Sequence, residues 1–227
     1  MKLSVIMPVF NEKNTIKEII KKVLAVKIQK EIIIVDDYST DGTREMLKKI
    51  KNKNIKVVFH EKNCGKGRAI RTGIKHISGD IVIIQDADLE YDPQDYLKLV
   101  EPIVKGETKV VYGTRFPRMK KRPPLLNKFF MANRILTATA NILYNAKITD
   151  EPTCYKVFDA NALKSINLKS ERFEFCPEVT AKVRKKGFKI KEIPIAYYPR
   201  SVEEGKKIKW NDGFEAIWIL IKYRFTD

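Results

Sequence analysis

Four acids occupy alternate positions in "VIIQDADLEYDP", residues 82–93: Asp86, Asp88, Glu90 and Asp92. They follow a Val/Ile run that reads as a buried strand, in a chain whose formal net charge is +17. Two carboxylates one residue apart at a strand end, such as Asp86 and Asp88, can turn to the same side once the backbone leaves extended geometry. Their repulsion raises a pKa unless a cation lies between them. A hard divalent ion, Mg²⁺ or Mn²⁺, is the natural partner for an oxygen donor set, with diphosphate oxygens completing its shell. Ala87 leaves room for a ligand to approach, and Asp92, directly before Pro93, reads as a helix N-cap.

Two further polar clusters close apolar runs. "PVFNE" (8–12) ends the first run in a turn and an acid. "VDDYSTDGT" (35–43) ends the second with Asp36 and Asp37, and Asp41 is placed to cap the next helix. Each alone suits turn and cap duty, but three on one sheet edge point to a site. "GKGRAIRTG" (65–73) lacks the Ser or Thr of a Walker loop, and Ile70 stands where GxGxxG needs its third Gly. It remains a Gly-rich helix entry carrying Lys66 and Arg68, suited either to an anion or simply to helix capping.

The elements that would position these groups alternate regularly. Strands are predicted at 3–9, 31–37, 55–60, 80–86 and 108–114, and helices at 14–27, 41–51, 65–77 and 93–104, with Asn14 and Asp41 as N-caps. Continuous Val/Ile runs suit strands buried on both faces. The expected fold is α/β, a mostly parallel doubly wound sheet with helices on both faces, and ligands in such sheets bind beyond the strands' carboxyl ends. The second half is less regular. A basic, Pro-rich loop (117–124) precedes a helix at 125–146 with Leu125, Phe129, Leu136 and Leu143 on one face. A helix at 176–186, a strand at 188–198, a polar loop at 199–213 and an apolar helix at 214–225 follow "ITDEPTCYKVF" (148–158).

Lys and Arg outnumber Asp and Glu by 45 to 28, so the surface should attract phosphates, nucleic acid or acidic headgroups, unless the bias reflects codon usage or growth temperature. Nucleic-acid binding is disfavoured because no RNP-like, zinc-finger or helix-turn-helix signature is present. Cys64, Cys154 and Cys176 are widely spaced with no CxxC, which fits a reducing cytoplasm. The N-terminus does not read as a signal peptide, and the run "AIWILI" (216–221) is far below a membrane span. The expected location is cytoplasmic, with peripheral attachment to the membrane's cytoplasmic face.

"SVIMPVFNE", "IIIVDDYSTDGT", "NCGKGRAIRTGI" and "IIQDADLEYDP" resemble the successive motifs of family 2 glycosyltransferases, which have the GT-A fold. "GTRF", "ITDEPTCYKVF", "CPEVTAKV" and "EIPIAYYPRSVEEGKKIKWNDG" resemble the polyprenyl-phosphate sugar synthases, including dolichyl-phosphate mannose synthase. The resemblance implies an inverting, metal-dependent enzyme. Its donor would be a nucleotide-diphosphate hexose, such as GDP-mannose or UDP-glucose, and its acceptor a polyprenyl (dolichyl-type) phosphate. The alternative acceptor is a saccharide or other hydroxyl. One catalytic domain would span 1–227, with a nucleotide-sugar half at 1–115 and an acceptor half at 116–227.

Carried over to this chain, Pro8, Phe10 and Glu12 line the base and ribose pocket, and Val35 and Asp37 complete base recognition. Asp86, with Ala87 beside it, approaches the ribose and diphosphate, while Asp88 and Glu90 hold the metal. Phe10 replaces the more usual Tyr. Arg115, Arg200 and Lys206 match phosphate-holding positions, and Asp150 is the candidate base or acceptor-orienting residue, or else a cap for the turn before Pro152. A lipid phosphate is already mostly dianionic near neutral pH and needs no base. Arg115, Arg118, Lys120, Lys121 and Arg122 would attract anionic lipid. The stretches 125–146 and 214–225 would lie in the headgroup region, anchored by Trp210, Trp218 and Tyr223, unless they simply pack on the sheet.

Overall fold

The structure is a computed structural model that describes residues 1–116, 128–200 and 211–226. Seven strands form one sheet in the order β3-β2-β1-β4-β6-β5-β7. Strands β1 (Leu3–Val9), β2 (Lys30–Asp36), β3 (Ile55–Phe59) and β4 (Ile81–Ile84) are mutually parallel. β5 (Val110–Thr114) is parallel to β7 (Ile190–Pro194), and β6 (Lys156–Asp159) runs against both β4 and β5.

The Val/Ile runs of β1, β2 and β4 form these central strands because both of their faces are covered. Val5, Ile6, Ile32, Ile34, Val82 and Ile83 are completely buried, each contributing about 1.5–3 kcal/mol of burial free energy. Helix α1 (Ile16–Ala25) turns Ile16, Ile19, Ile20 and Val23 inward, the spacing of a single helical face. Helix α3 (Lys66–Ile74) lies close to β1 because Gly73 has no side chain: a Cβ there would sit 2.5 Å from Ile6 Cγ2. Helices α2 (Thr43–Lys48) and α4 (Tyr96–Val104) complete the first half.

Several expected boundaries shift. Thr15, not Asn14, is the N-cap of α1. Gly42 takes the N-cap of α2, and Asp41, one residue earlier, still accepts the Thr43 N–H at 3.0 Å. Asp92 caps as expected, accepting from Gln94 N–H at 3.0 Å ahead of a 3₁₀ turn at Pro93–Asp95. The antiparallel β6 and helix α6 (Ala160–Lys164) were not anticipated. β6 is only four residues long and begins with a fully buried lysine, Lys156, so no apolar run announces it.

Helices α5 (Lys128–Tyr144), α7 (Phe175–Lys185) and α8 (Asn211–Phe225) pack on one another. Leu136, Ala140 and Tyr144 of α5 meet a buried face of α8 made by Ala216, Ile219, Leu220 and Tyr223, and Tyr144 Oη donates to the Leu220 carbonyl. Tyr223 is thus no surface anchor: it is 3% exposed, with Lys182 Nζ 4.2 Å from its ring centre. Trp218, by contrast, is 61% exposed. Leu125 and Trp210 lie outside the described residues, as do the lysines and arginines of 118–122 and the side chain of Phe129.

Candidate active site

The chain leaves β1 on one side for β2 and β3, and later returns on the other for β4. That reversal opens a crevice at the carboxyl ends of β1 and β4, where open α/β sheets bind ligands. Each of the three strand-end loops turns through a non-glycine residue in the left-handed region: Asn11 (φ 51°), Tyr38 (φ 68°) and Leu89 (φ 63°). Such conformations cost on the order of 1–3 kcal/mol each and cluster at functional sites. Leu89 separates Asp88 from Glu90, and the tight turn lets Asp88 Oδ1 accept the Glu90 N–H at 3.1 Å.

A cavity of about 1240 Å³ opens there. Its polar end includes Pro8, Phe10, Glu12 and Asp37 from the first two strand ends, and Asp86, Ala87, Asp88 and Glu90 from the fourth. Val35 does not line it; that side chain is buried in the sheet, in register with Pro8. Lys206 lies outside the described residues.

Glu12, Asp88 and Glu90 converge on Arg200. Its Nη1 and Nη2 donate to Glu12 at 3.1 and 3.2 Å, Nη2 also reaches Asp88 Oδ2 at 3.2 Å, and its backbone N–H donates to Glu90 Oε1 at 2.7 Å. Burial, with repulsion from Asp86 and Glu90, pushes Asp88 up to about 7, although Arg200 partly offsets this. The guanidinium thus bridges Glu12 and Asp88, while Glu90 meets only the backbone of Arg200. Carboxylate oxygens suit a hard divalent cation, and Asp88 and Glu90, on either side of the Leu89 turn, are the residues that would hold one.

Asp86 has a different partner. Lys66 Nζ lies 2.6 Å from its Oδ1. Burial pulls the Lys66 ammonium down, but the Asp86 carboxylate more than reverses this and holds it above its usual range. Lys66 therefore serves the fourth strand end, not a free anion. The backbone at the start of "GKGRAIRTG" is committed too. The N–H groups of Gly67 and Arg68 donate to the carbonyls of Arg172 and Glu171 at 3.1 and 2.9 Å. Gly65 (φ 91°) passes so near that a Cβ would meet the Glu171 carbonyl oxygen at 2.4 Å. The backbone of the helix entry docks on the 171–172 segment, while the exposed Arg68 side chain lines the cavity.

Asp37 is clamped by that same loop. Its Oδ1 accepts from Cys64 N–H at 2.9 Å and lies 2.7 Å from His60 Nδ1, while Oδ2 accepts from Gly65 N–H at 2.7 Å. Thr72 Oγ1 sits 2.9 Å from His60 Nε2 and fixes the ring. Asp37, His60 and Cys64 are close enough to share a metal ion. Their mixed N, O and S donors suit zinc better than Mg²⁺ or Mn²⁺, and the carboxylate already accepts from the Cys64 and Gly65 N–H groups. His60 was missed in the sequence, although one of only two histidines directly after a strand could have drawn notice.

Arg115 and Asp150 form a second ion pair. Arg115 Nε and Nη2 donate to Asp150 at 2.7 and 2.6 Å, and the Arg115 backbone N–H adds a third bond at 3.0 Å. Asp150 is completely buried and does not line the cavity, whereas Arg115 does. With both oxygens bonded to Arg115 and no exposure to the cavity, Asp150 fixes the position of Arg115 on the cavity wall. No hydrogen bond from its side chain to the turn before Pro152 appears among the described contacts. The Arg115 guanidinium also lies 5.0 Å from the Tyr197 ring centre, and Tyr197 Oη reaches Glu90 Oε2 at 3.3 Å.

The rest of the lining mixes apolar and polar groups: Phe130, Asn133 and Leu136 of α5, Phe173 and Pro177 around the start of α7, and Asp212 and Ala216 of α8. On the outside, α8 exposes Trp218, Ile221 and Phe225 along one face, and α5 exposes Met131, Ile135 and Ile142. Among the described residues, no helix is long and apolar enough to cross a membrane.

Comparison with known proteins bears directly on this geometry. Residues 4–166 match the family model described as "Glycosyl transferase family 2". A UDP-N-acetylglucosamine–dolichyl-phosphate N-acetylglucosaminyltransferase of Methanococcus voltae is 32% identical over 95% of this chain and 93% of its own length. A low-salt glycan biosynthesis hexosyltransferase, Agl6, of Haloferax volcanii is 31% identical over 96% of this chain, which spans 53% of that protein. The dolichol-phosphate mannosyltransferase of Pyrococcus furiosus is 27% identical over 96% of the chain, which spans 62% of it. Among solved structures, glucosyl-3-phosphoglycerate synthase of Mycobacterium tuberculosis, in complex with Mn²⁺, UDP and glucosyl-3-phosphoglycerate, superposes with a TM-score of 0.75. At 21% identity, with 98% of this chain and 79% of that one covered, it establishes the shared GT-A fold.

Proposed function

This chain belongs to glycosyl transferase family 2 and is a glycosyltransferase, and from that premise we propose that it transfers a hexose with inversion from a nucleotide-diphosphate sugar to a polyprenyl phosphate. Mg²⁺ or Mn²⁺ assists, and the protein works at the cytoplasmic membrane face. One observation carries the reading: a single cavity is lined both by the acids at the strand ends and by Phe130 and Leu136 of α5, Phe173, and Ala216 of α8. The acids suit a nucleotide, its diphosphate and a metal; the apolar side chains suit the first part of a hydrocarbon chain.

Each residue has a task in this reading. Asp37 accepts from an imino N–H of the base, which uracil and guanine both offer, so UDP-glucose and GDP-mannose both remain candidate donors. Pro8, Phe10 and Glu12 enclose the nucleoside, and Asp86 with Lys66 faces the ribose side. A bound divalent ion supplies charge neutralisation for the departing diphosphate. Arg115, held rigid by Asp150, offers its cavity edge to the acceptor phosphate. That phosphate arrives as an anion and needs no base, which agrees with Asp150 being closed off. The donor would occupy the 1–115 half and the acceptor the 116–227 half.

The membrane reading draws on the exposed α5 and α8 faces together with the +17 charge. Trp218 and Phe225 would sit among headgroups, with cations attracted to anionic lipid. A direct test offers UDP- and GDP-sugars with Mn²⁺ to dolichyl phosphate, dolichol and an oligosaccharide. Transfer to dolichyl phosphate alone, abolished by EDTA, is the expected result. Transfer to the oligosaccharide with none to dolichyl phosphate would overturn the acceptor assignment.

A further inference from the structure

Arg200 and Arg115 are both cavity-lining arginines bound to acids, yet only Arg115 is well matched to its partner. Arg115 sets two guanidinium nitrogens against one buried carboxylate at 2.7 and 2.6 Å. Arg200 spreads two nitrogens over two acids at 3.1–3.2 Å, with Glu90 held only through its backbone N–H. Its Nε is buried and has no hydrogen-bond partner in the structure. An unpaired buried donor works against this arrangement, and contacts longer than 3 Å spread over two acids hold the guanidinium less firmly than a matched pair would.

We propose that Arg200 is a displaceable counter-cation: its guanidinium competes with a divalent ion for Asp88, and displacement frees it to bind the donor diphosphate. The inference rests on the metal-dependent reading of the site given above. The guanidinium occupies the Asp88 oxygen that an ion would ligate, so ion binding and this contact are alternatives. Exchange would couple the two halves of donor recognition. While Arg200 neutralises the acids, no phosphate-binding guanidinium is on offer; once it is released, the metal and the anion-binding group become available together.

The consequence is a pair of effects with opposite sign. Without nucleotide, Arg200→Gln should bind Mn²⁺ about fivefold or more tighter than wild type, read from the free-Mn²⁺ electron paramagnetic resonance signal. At saturating Mn²⁺ the same variant should bind UDP or GDP about tenfold or more weakly by calorimetry. Arg200→Lys, which keeps the charge, should fall between. Melting curves verify folding of both variants. In the wild type, ¹⁵N-arginine spectra give an independent readout: Mg²⁺ alone should shift the guanidinium resonance that disappears in Arg200→Lys. A folded Arg200→Gln with unchanged or weaker Mn²⁺ affinity, or a wild-type resonance unmoved by saturating Mg²⁺, overturns the exchange. A wild type that binds neither Mn²⁺ nor nucleoside diphosphate defeats the metal-dependent reading and this inference with it.

Discussion

The Glu12/Asp88/Glu90–Arg200 cluster and the Arg115–Asp150 pair use the same chemistry a short way apart along one cavity. The first spreads one guanidinium over Glu12 and Asp88 at contacts beyond 3 Å, with Glu90 on the Arg200 backbone N–H, around a strained turn at Leu89. The second sets one acid against one cation through three short bonds and buries the acid completely. A balanced buried pair is costly to break, because losing either member strands a charge. A guanidinium spread over two acids, with its Nε unpartnered, is easier to displace. The difference teaches that the match between cation and acid, rather than burial, separates the two sites.

Exchanging the acids one at a time tests that contrast. Asp88→Asn should lower transfer by on the order of 10³-fold, since it removes electrostatic support for the leaving group. Its melting temperature should hold or rise, because repulsion is relieved. Asp150→Asn should do the reverse in kind, destabilising the fold by about 3–5 kcal/mol as Arg115 loses its partner. Denaturant titration measures this, and an unchanged midpoint would break the comparison.

The smallest effect is one of pH. Burial and the neighbouring Asp86 and Glu90 carboxylates push Asp88 up to about 7, well above the usual carboxylate range. Because the folded value is the higher one, the contribution from Asp88 is fully present below about pH 4 and is lost as pH rises through 7. Metal-free wild type should therefore lose melting temperature relative to Asp88→Asn across this window, and Mg²⁺ should restore it. Parallel curves for the two proteins would show that Asp88 is not strained in the free cluster.

Much of this was legible in the sequence because it is local. Val/Ile runs announce strands buried on both faces, and acids directly after them mark the ligand edge, so Glu12, Asp37, Asp86, Asp88 and Glu90 could be picked out by position. Asp92 was legible as a cap because the residue before Pro at a helix start has a short-range partner, here Gln94. The interfacial anchors were less so. Trp218 and Tyr223 sit five positions apart on α8, about 140° around the helix, and only packing against α5 and α7 decides which of them meets water.

What the sequence determined by itself is therefore the inventory: the family, the alternating elements, and the residue types at each strand end. Tertiary structure decided the partnerships. Arg200 meets Glu12 across 188 positions and Arg115 meets Asp150 across 35, while Gly67 and Arg68 spend their amides on a segment about a hundred residues further along the chain. The reason is physical. Which side chain faces a strand end follows from local backbone geometry, but which charge neutralises it depends on strand order, and β6, the strand that runs against its neighbours, was hidden by its own buried lysine.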